Sequence, residues 1–161
     1  MNTYTFQEAI AGRTARDARV LLTAYGNYVY RDLGLLAGKQ RFYTDLAHFP
    51  GTRFTWPEGA FYVAYQDGIA VGCAGLARLD EANCEMKRLF VLPVHRGKGV
   101  GSFLCDVLLE KARELGYRNL LLDTNREMKE ALALYRRKGF RKIAPYCENE
   151  NPNPLYFQHA L

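Results

Sequence analysis

The alternation of apolar and polar positions along the chain predicts strands and helices interleaved through its whole length. Tyr4, Phe6 and Glu8 alternate against Thr5, Gln7 and Ala9, which predicts a first strand over residues 3–10. Thr14 followed by Asp17 predicts a helix start, with a side-chain cap and an acid in the first turn. That helix runs through Val20, Leu21, Ala24 and Tyr28 to about Leu33. A weaker helical pattern covers residues 39–46 before Pro50-Gly51 breaks it. Residues 60–65 and 69–76 are β-rich and are joined through Gln66-Asp67-Gly68, a hairpin signal because glycine accepts the positive φ of a tight turn. A polar loop over 79–83 leads to a strand over 84–91.

From Val100 the period changes. Val100, Leu104, Val107, Leu108 and Leu115 recur at helical spacing, and Gly116 supplies the stop. Residues 119–123 form a short apolar strand, and Thr124 with Glu127 fits a capping box opening a helix that Gly139 ends. Final strands are expected over 140–143 and 155–160, separated by a Pro/Asn-rich loop. The sum is an α/β sheet with mixed connections, helices on both sides and one antiparallel hairpin.

A length of 161 residues suits one domain spanning 1–161. A chain of this length buries enough surface to need no staple. Cys73, Cys84, Cys105 and Cys147 form no CxxC pair and read as buried free thiols in a reducing compartment. No ligand cluster for a metal is evident. Residues 1–10 lack the basic start and apolar core of a leader, and no apolar run approaches the roughly 18 residues of a membrane span. The expected location is the cytoplasm. A formal net charge of +5 favours anionic ligands, but the basic residues are scattered and no aromatic-basic stripe suggests nucleic acid.

The chemically informative stretch reads Leu89-Phe90-Val91-Leu92-Pro93-Val94-His95-Arg96-Gly97-Lys98-Gly99-Val100-Gly101-Ser102. A strand ends, proline turns the chain, and three alternate glycines open an amphipathic helix. Such a start exposes backbone N–H groups that have no intrahelical acceptor. Phosphate is attracted there, aided by the helix dipole and by glycine's lack of bulk. A ligand-free glycine turn is the plainer reading, but three glycines at a helix start cost stability. A Walker A loop is excluded because Gly99, not Ser or Thr, follows Lys98. A dinucleotide-binding domain is a weaker alternative. Asp123 follows at a suitable distance, yet the spacing is GxGxG and some 80 residues precede the strand.

Arg96-x-x-Gly99-x-Gly101, preceded by Leu-Phe-Val-x-Pro, resembles the acetyl-CoA pyrophosphate loop of the GNAT (GCN5-related) N-acetyltransferase superfamily. Ala131-x-x-Leu134-Tyr135-x-x-x-Gly139-Phe140 is similar to the second signature of that family. The resemblance covers residues 84–140 well and residues 1–58 in outline only. It implies a mixed sheet of about six to seven strands flanked by about four helices, the fourth and fifth strands splayed apart around the pantetheine arm. It implies acetyl transfer from acetyl-CoA directly to a primary amine of a small molecule or peptide. A non-catalytic acyl-CoA-binding or regulatory module on the same fold is the alternative, since fold does not fix function.

The resemblance further assigns roles. Leu89, Phe90 and Val91 pair with the pantetheine, with an N–H near Val91 polarising the thioester carbonyl. The amides of Arg96, Gly97, Lys98, Gly99, Val100, Gly101 and Ser102 hold the pyrophosphate. Tyr135 matches the tyrosine that protonates the leaving thiolate, although Leu132 at i−3 also suits a core position. Glu85 is the candidate base for the attacking ammonium; equally it reads as a strand glutamate paired with Lys87. His95 is a further base candidate in the phosphate turn and reads more simply as a solvated loop residue. Lys87, Arg88 and Asp123 read as supporting rather than catalytic. Many relatives carry an asparagine where this chain has Met128, and Asn125 is the candidate replacement. Tyr146, Glu148 and Glu150 lie in a loop expected over the acceptor side. An exposed final strand would offer an edge for a homodimer.

Overall fold

The computed structural model describes residues 3–161; Met1 and Asn2, part of the leader-free reading of residues 1–10, lie outside them. Seven strands form one sheet: β1 (Thr5–Glu8), β2 (Ala60–Gln66), β3 (Ile69–Arg78), β4 (Asn83–Val91), β5 (Asn119–Asn125), β6 (Arg141–Ile143) and β7 (Pro154–Ala160). Their order is β1-β2-β3-β4-β5-β7-β6, with four α-helices: α1 (Gly12–Gly26), α2 (Lys39–Ala47), α3 (Val100–Glu114) and α4 (Lys129–Arg137).

β2 shows why the sheet is covered on both sides. Its side chains alternate, so Phe61, Val63 and Tyr65 join a core with Leu21 and Leu22 of α1, while Ala60, Tyr62 and Ala64 join the opposite core. Leu104, Leu108 and Ala112 repeat every four residues and bury one face of α3 in that second core. Each fully buried leucine there contributes about 1.5–3 kcal/mol.

The architecture matches the sequence expectation, with local corrections. The expected first strand is shorter, and β6 begins at Arg141. Thr14 does not cap α1. The helix starts two residues earlier, Thr14 Oγ1 donates to Gln7 Oε1 at 2.9 Å, and Asp17 accepts from the Tyr65 hydroxyl at 2.7 Å. The last turns of the first helix widen over Asn27–Asp32, where the Leu33 N–H reaches back five residues to the Tyr28 carbonyl at 2.9 Å. The capping box at Thr124 and Glu127 is also not formed. Pairing with Leu155 holds Thr124 in β5, and α4 opens at Lys129. β1 to β4 are antiparallel throughout, more than the one hairpin expected, and β4–β5 is the one parallel pair among the described residues. That is not the doubly wound parallel sheet a dinucleotide domain requires. Finally, β7 lies between β5 and β6, so the last strand is no free edge for a dimer.

Two irregularities prepare the site. β4 and β5 pair only from Asn83↔Asn119 to Glu85↔Leu121, and beyond that the strands part into a V. β4 also bulges against β3. Cys73 faces Phe90 but Gly75 faces Lys87, so Ala74 opposes both Arg88 and Leu89, and Arg88 takes φ +60°.

Candidate functional site

Two cavities flank the V. The first, about 440 Å³, is lined by the end of β4, the glycine turn, the start of α3 and one face of α4. In the turn, Gly97 and Gly99 have φ of +72° and +92°, which glycine alone adopts freely, and a Cβ on either would meet open space. The first intrahelical bond of α3 runs from the Phe103 N–H to the Gly99 carbonyl at 3.0 Å. The amides of Gly99, Val100, Gly101 and Ser102 therefore precede any acceptor within the helix.

The β4 edge can be read from its bonding. The Leu92 N–H donates to the Val71 carbonyl at 3.0 Å, toward β3. Because successive backbone groups alternate sides, the Val91 N–H and C=O point away from β3, into the V. The Val91 carbonyl there accepts from Arg96 Nε at 3.0 Å, and the guanidinium lies over the Tyr28 ring, 4.7 Å from its centroid. Arg96 is thus anchored. Lys98 is exposed, outside the lining, and its carbonyl accepts from the Tyr4 hydroxyl at 2.6 Å. His95 is half-buried in the cavity wall, with no hydrogen-bond partner for Nδ1 among the described residues, rather than solvated as expected.

The second cavity, about 700 Å³, lies on the other side of β4 and shares only Leu89 and Met128 with the first. Glu85, the last β4 residue paired with β5, lies at the apex of the V and is 5% exposed. Lys87 reaches across the gap, in contact with Glu85 Oε1 and 3.0 Å from Asp123 Oδ1. Burial works against the Lys87 charge, but Asp123 and Glu85 outweigh it and raise its pKa. Asn149 of the loop before β7 donates to Asp123 Oδ2 at 3.0 Å. The sequence expectation that Glu85 pairs with Lys87 is met, and Asp123 joins them.

Tyr135 lines the same cavity, packed against Phe140 and Phe157. Burial, reinforced by Cys105, Tyr25 and Asp123, holds its hydroxyl far above the ordinary tyrosine pKa. Asn125 also lines this cavity, but its amide donates to the Pro152 carbonyl at 3.0 Å and so fastens the loop. That loop covers the cavity through Cys147, Glu148, Asn149 and Asn151, whereas Tyr146 and Glu150 are outside the lining. Asn151 Oδ1 accepts from the Ala37 N–H at 2.9 Å, which ties the loop to the segment before α2.

Sequence reasoning missed the cationic wall. Arg88, with its side chain 8% exposed, is 2.7 Å from Asp45 Oδ2 and lies 5.0 Å from the ring centroids of both Phe42 and Phe54. Arg53 Nη1 is 3.1 Å from the same Asp45 oxygen. Two consecutive cations, Lys87 and Arg88, break the period-two pattern of the strand, and that was the available signal of a bulge.

The sequence profile of the Acetyltransferase (GNAT) family matches residues 30–140, more than half of the chain. The chain belongs to the GNAT acetyltransferase family. It is 34% identical over 111 residues to an uncharacterised N-acetyltransferase of Schizosaccharomyces pombe, covering 68% of this chain and 68% of that protein. Across the first curated relatives the match covers 56% to 68% of their own lengths. The crystal structure of an acetyltransferase from Streptococcus agalactiae superposes with a TM-score of 0.78 at 21% identity, over 98% of both chains. A GNAT acetyltransferase from Elizabethkingia anophelis, solved with acetyl-CoA bound, superposes with a TM-score of 0.67 at 21% identity over 100% of both. At those identities the likeness is one of fold, and the V between β4 and β5 belongs to that GNAT fold.

Proposed function

We propose that this GNAT chain, acting as one domain, moves an acetyl group from acetyl-CoA directly to a primary amine, without a covalent enzyme intermediate. The observation that carries the reading is the pair of cavities meeting at Leu89 and Met128, one edged by backbone donors and the other by carboxylates and Tyr135.

The first cavity suits a pyrophosphate-bearing ligand. Its open glycine backbone and the free amides at the start of α3 offer several N–H donors without a Cβ in the way. Arg96 stiffens the turn by holding the Val91 carbonyl, and the Val91 N–H is left to donate to a carbonyl oxygen in the V. A fixed donor of this kind is worth on the order of 3 kcal/mol to the transition state. When bound, acetyl-CoA supplies the activated acetyl thioester.

In the second cavity, Glu85 and Asp123 share one cation, Lys87, leaving a net negative apex that attracts an ammonium. An alkylammonium titrates near 10, so near pH 7 the bound nitrogen carries a proton that it must lose before it can attack. Glu85 takes that proton, directly or through water, and the freed amine attacks the thioester carbonyl. Tyr135 stays protonated across the working range and donates a hydrogen bond to the departing sulfur as the C–S bond breaks.

Calorimetric titration with acetyl-CoA, comparing wild type with Gly99→Glu, tests the first half. The substitution sets a carboxylate and a strained φ of +92° against the amides without a packing clash, so the protein stays folded and binding is lost. A folded wild type that does not bind acetyl-CoA overturns the reading. Binding without thiol release across a broad amine panel supports a non-catalytic module instead.

A further inference from the structure

The acceptor cavity is electrically lopsided. At the end formed by α2 and the segment before β2, Arg41, Arg53 and Arg88 line the wall, and Asp45 is the one carboxylate paired with any of them. Both paired guanidinium groups share a single oxygen, Asp45 Oδ2. Arg41 makes no ion pair among the described residues and is exposed. The formal charges of these four side chains sum to +2, and Glu148 of the loop before β7 is the other carboxylate brought to this wall. Burial, with the charges of Arg41 and Arg88, holds the Arg53 guanidinium below its ordinary pKa. Cations crowded this way are relieved by another anion.

At the apex end the balance reverses: Glu85 and Asp123 both engage Lys87, and Arg78 in the same wall is paired with Glu58. Along β4, Glu85 and Arg88 are three residues apart, and the bulge at Arg88 sets the two charges on separate parts of the cavity wall. The guanidinium of Arg88 is fixed between two aromatic rings, so the cationic end is held in place.

We propose that the acceptor is a primary amine bearing a carboxylate several bonds away, of the class of ω-amino acids and short peptides. The inference rests on the acetyltransferase reading for its chemistry, but its binding part stands alone. The ammonium faces Glu85 and Asp123, near the backbone donors of the V, and the carboxylate meets Arg41 and Arg53. An α-amino acid, with both charges on one carbon, is too short to reach both ends. A simple alkylamine leaves the guanidinium cluster uncompensated.

The test compares 6-aminohexanoate and glycylglycine with hexylamine, 6-aminohexanamide and glycine. Each is titrated calorimetrically into the CoA-saturated protein and assayed with acetyl-CoA by thiol release. The expected result is that 6-aminohexanoate and glycylglycine bind at least tenfold more tightly than hexylamine, the amide or glycine. Arg41→Ala, which breaks no ion pair of the folded chain, is expected to weaken 6-aminohexanoate about tenfold and leave hexylamine unchanged. Equal binding of hexylamine and 6-aminohexanoate, no binding of either carboxylate ligand, or an Arg41→Ala variant that leaves 6-aminohexanoate binding unchanged overturns the proposal. Selective binding that Arg41→Ala weakens, but without thiol release, upholds the charge pairing and overturns the acetyltransferase reading separately.

Discussion

Lys87 Nζ lies 3.0 Å from Asp123 Oδ1, joining β4 to β5 just where the two strands have stopped pairing. Backbone hydrogen bonds no longer hold the strands there, so this side-chain bridge helps fix the width of the V.

The bridge has a pH signature. The carboxylates raise the folded pKa of Lys87 above its ordinary value near 10.4, so its stabilising effect is complete below that value and lost as pH rises through the folded pKa. Asp123→Asn is expected to lower Tm at pH 8 and to flatten the fall in Tm above about pH 10. Thermal melts of the two proteins across that range check it. Parallel curves would remove the bridge as a determinant.

Tyr135→Phe removes one oxygen from a packed aromatic cluster. The ring contacts with Phe140 and Phe157 survive, so Tm and acetyl-CoA affinity are expected to hold. The turnover number is expected to fall about 100-fold. Because the wild-type hydroxyl stays protonated, no alkaline limb below pH 10 belongs to it. Steady-state kinetics with acetyl-CoA binding measured alongside decide the point.

Glu85→Gln separates proton removal from binding. The free-amine fraction grows tenfold per pH unit below about 10, so the deficit in kcat/KM is expected to be largest near pH 7 and to shrink toward pH 10. A deficit constant over that range would assign Glu85 to structure. The variant also releases Lys87 to Asp123 alone.

Gly75→Ala probes packing behind the site. A Cβ there lies 2.8 Å from Phe54 Cε1 and Phe61 Cδ2, inside contact distance. Those rings pack edge to face, and Phe54 also backs Arg88. Denaturant unfolding is expected to show a loss of about 1–3 kcal/mol.

Legibility in the sequence followed range. Asp67-Gly68 gave the β2–β3 hairpin because a tight turn is decided by two residues, which take φ of +50° and +77°. The glycine turn before α3 was readable for the same reason. Thr124 misled because its local spacing suited a cap, while pairing with Leu155, 31 positions away, fixed it in a strand. Asp17 looked like a first-turn acid and instead accepts from Tyr65, 48 residues on. The cluster of Arg41, Arg53 and Arg88 around Asp45 was invisible, since Arg88 and Asp45 are 43 residues apart and meet through a bulge. Local rules found the glycine-turn cavity; tertiary contacts built the charged one.

That division has an evolutionary consequence. Only Leu89 and Met128 wall both cavities, so Arg41, Asp45, Arg53 and the loop bearing Glu148 belong to the wall of one cavity and not of the other. A lineage carrying this scaffold can reshape the charged cavity by drift in two peripheral segments, while the glycine-turn cavity is inherited intact.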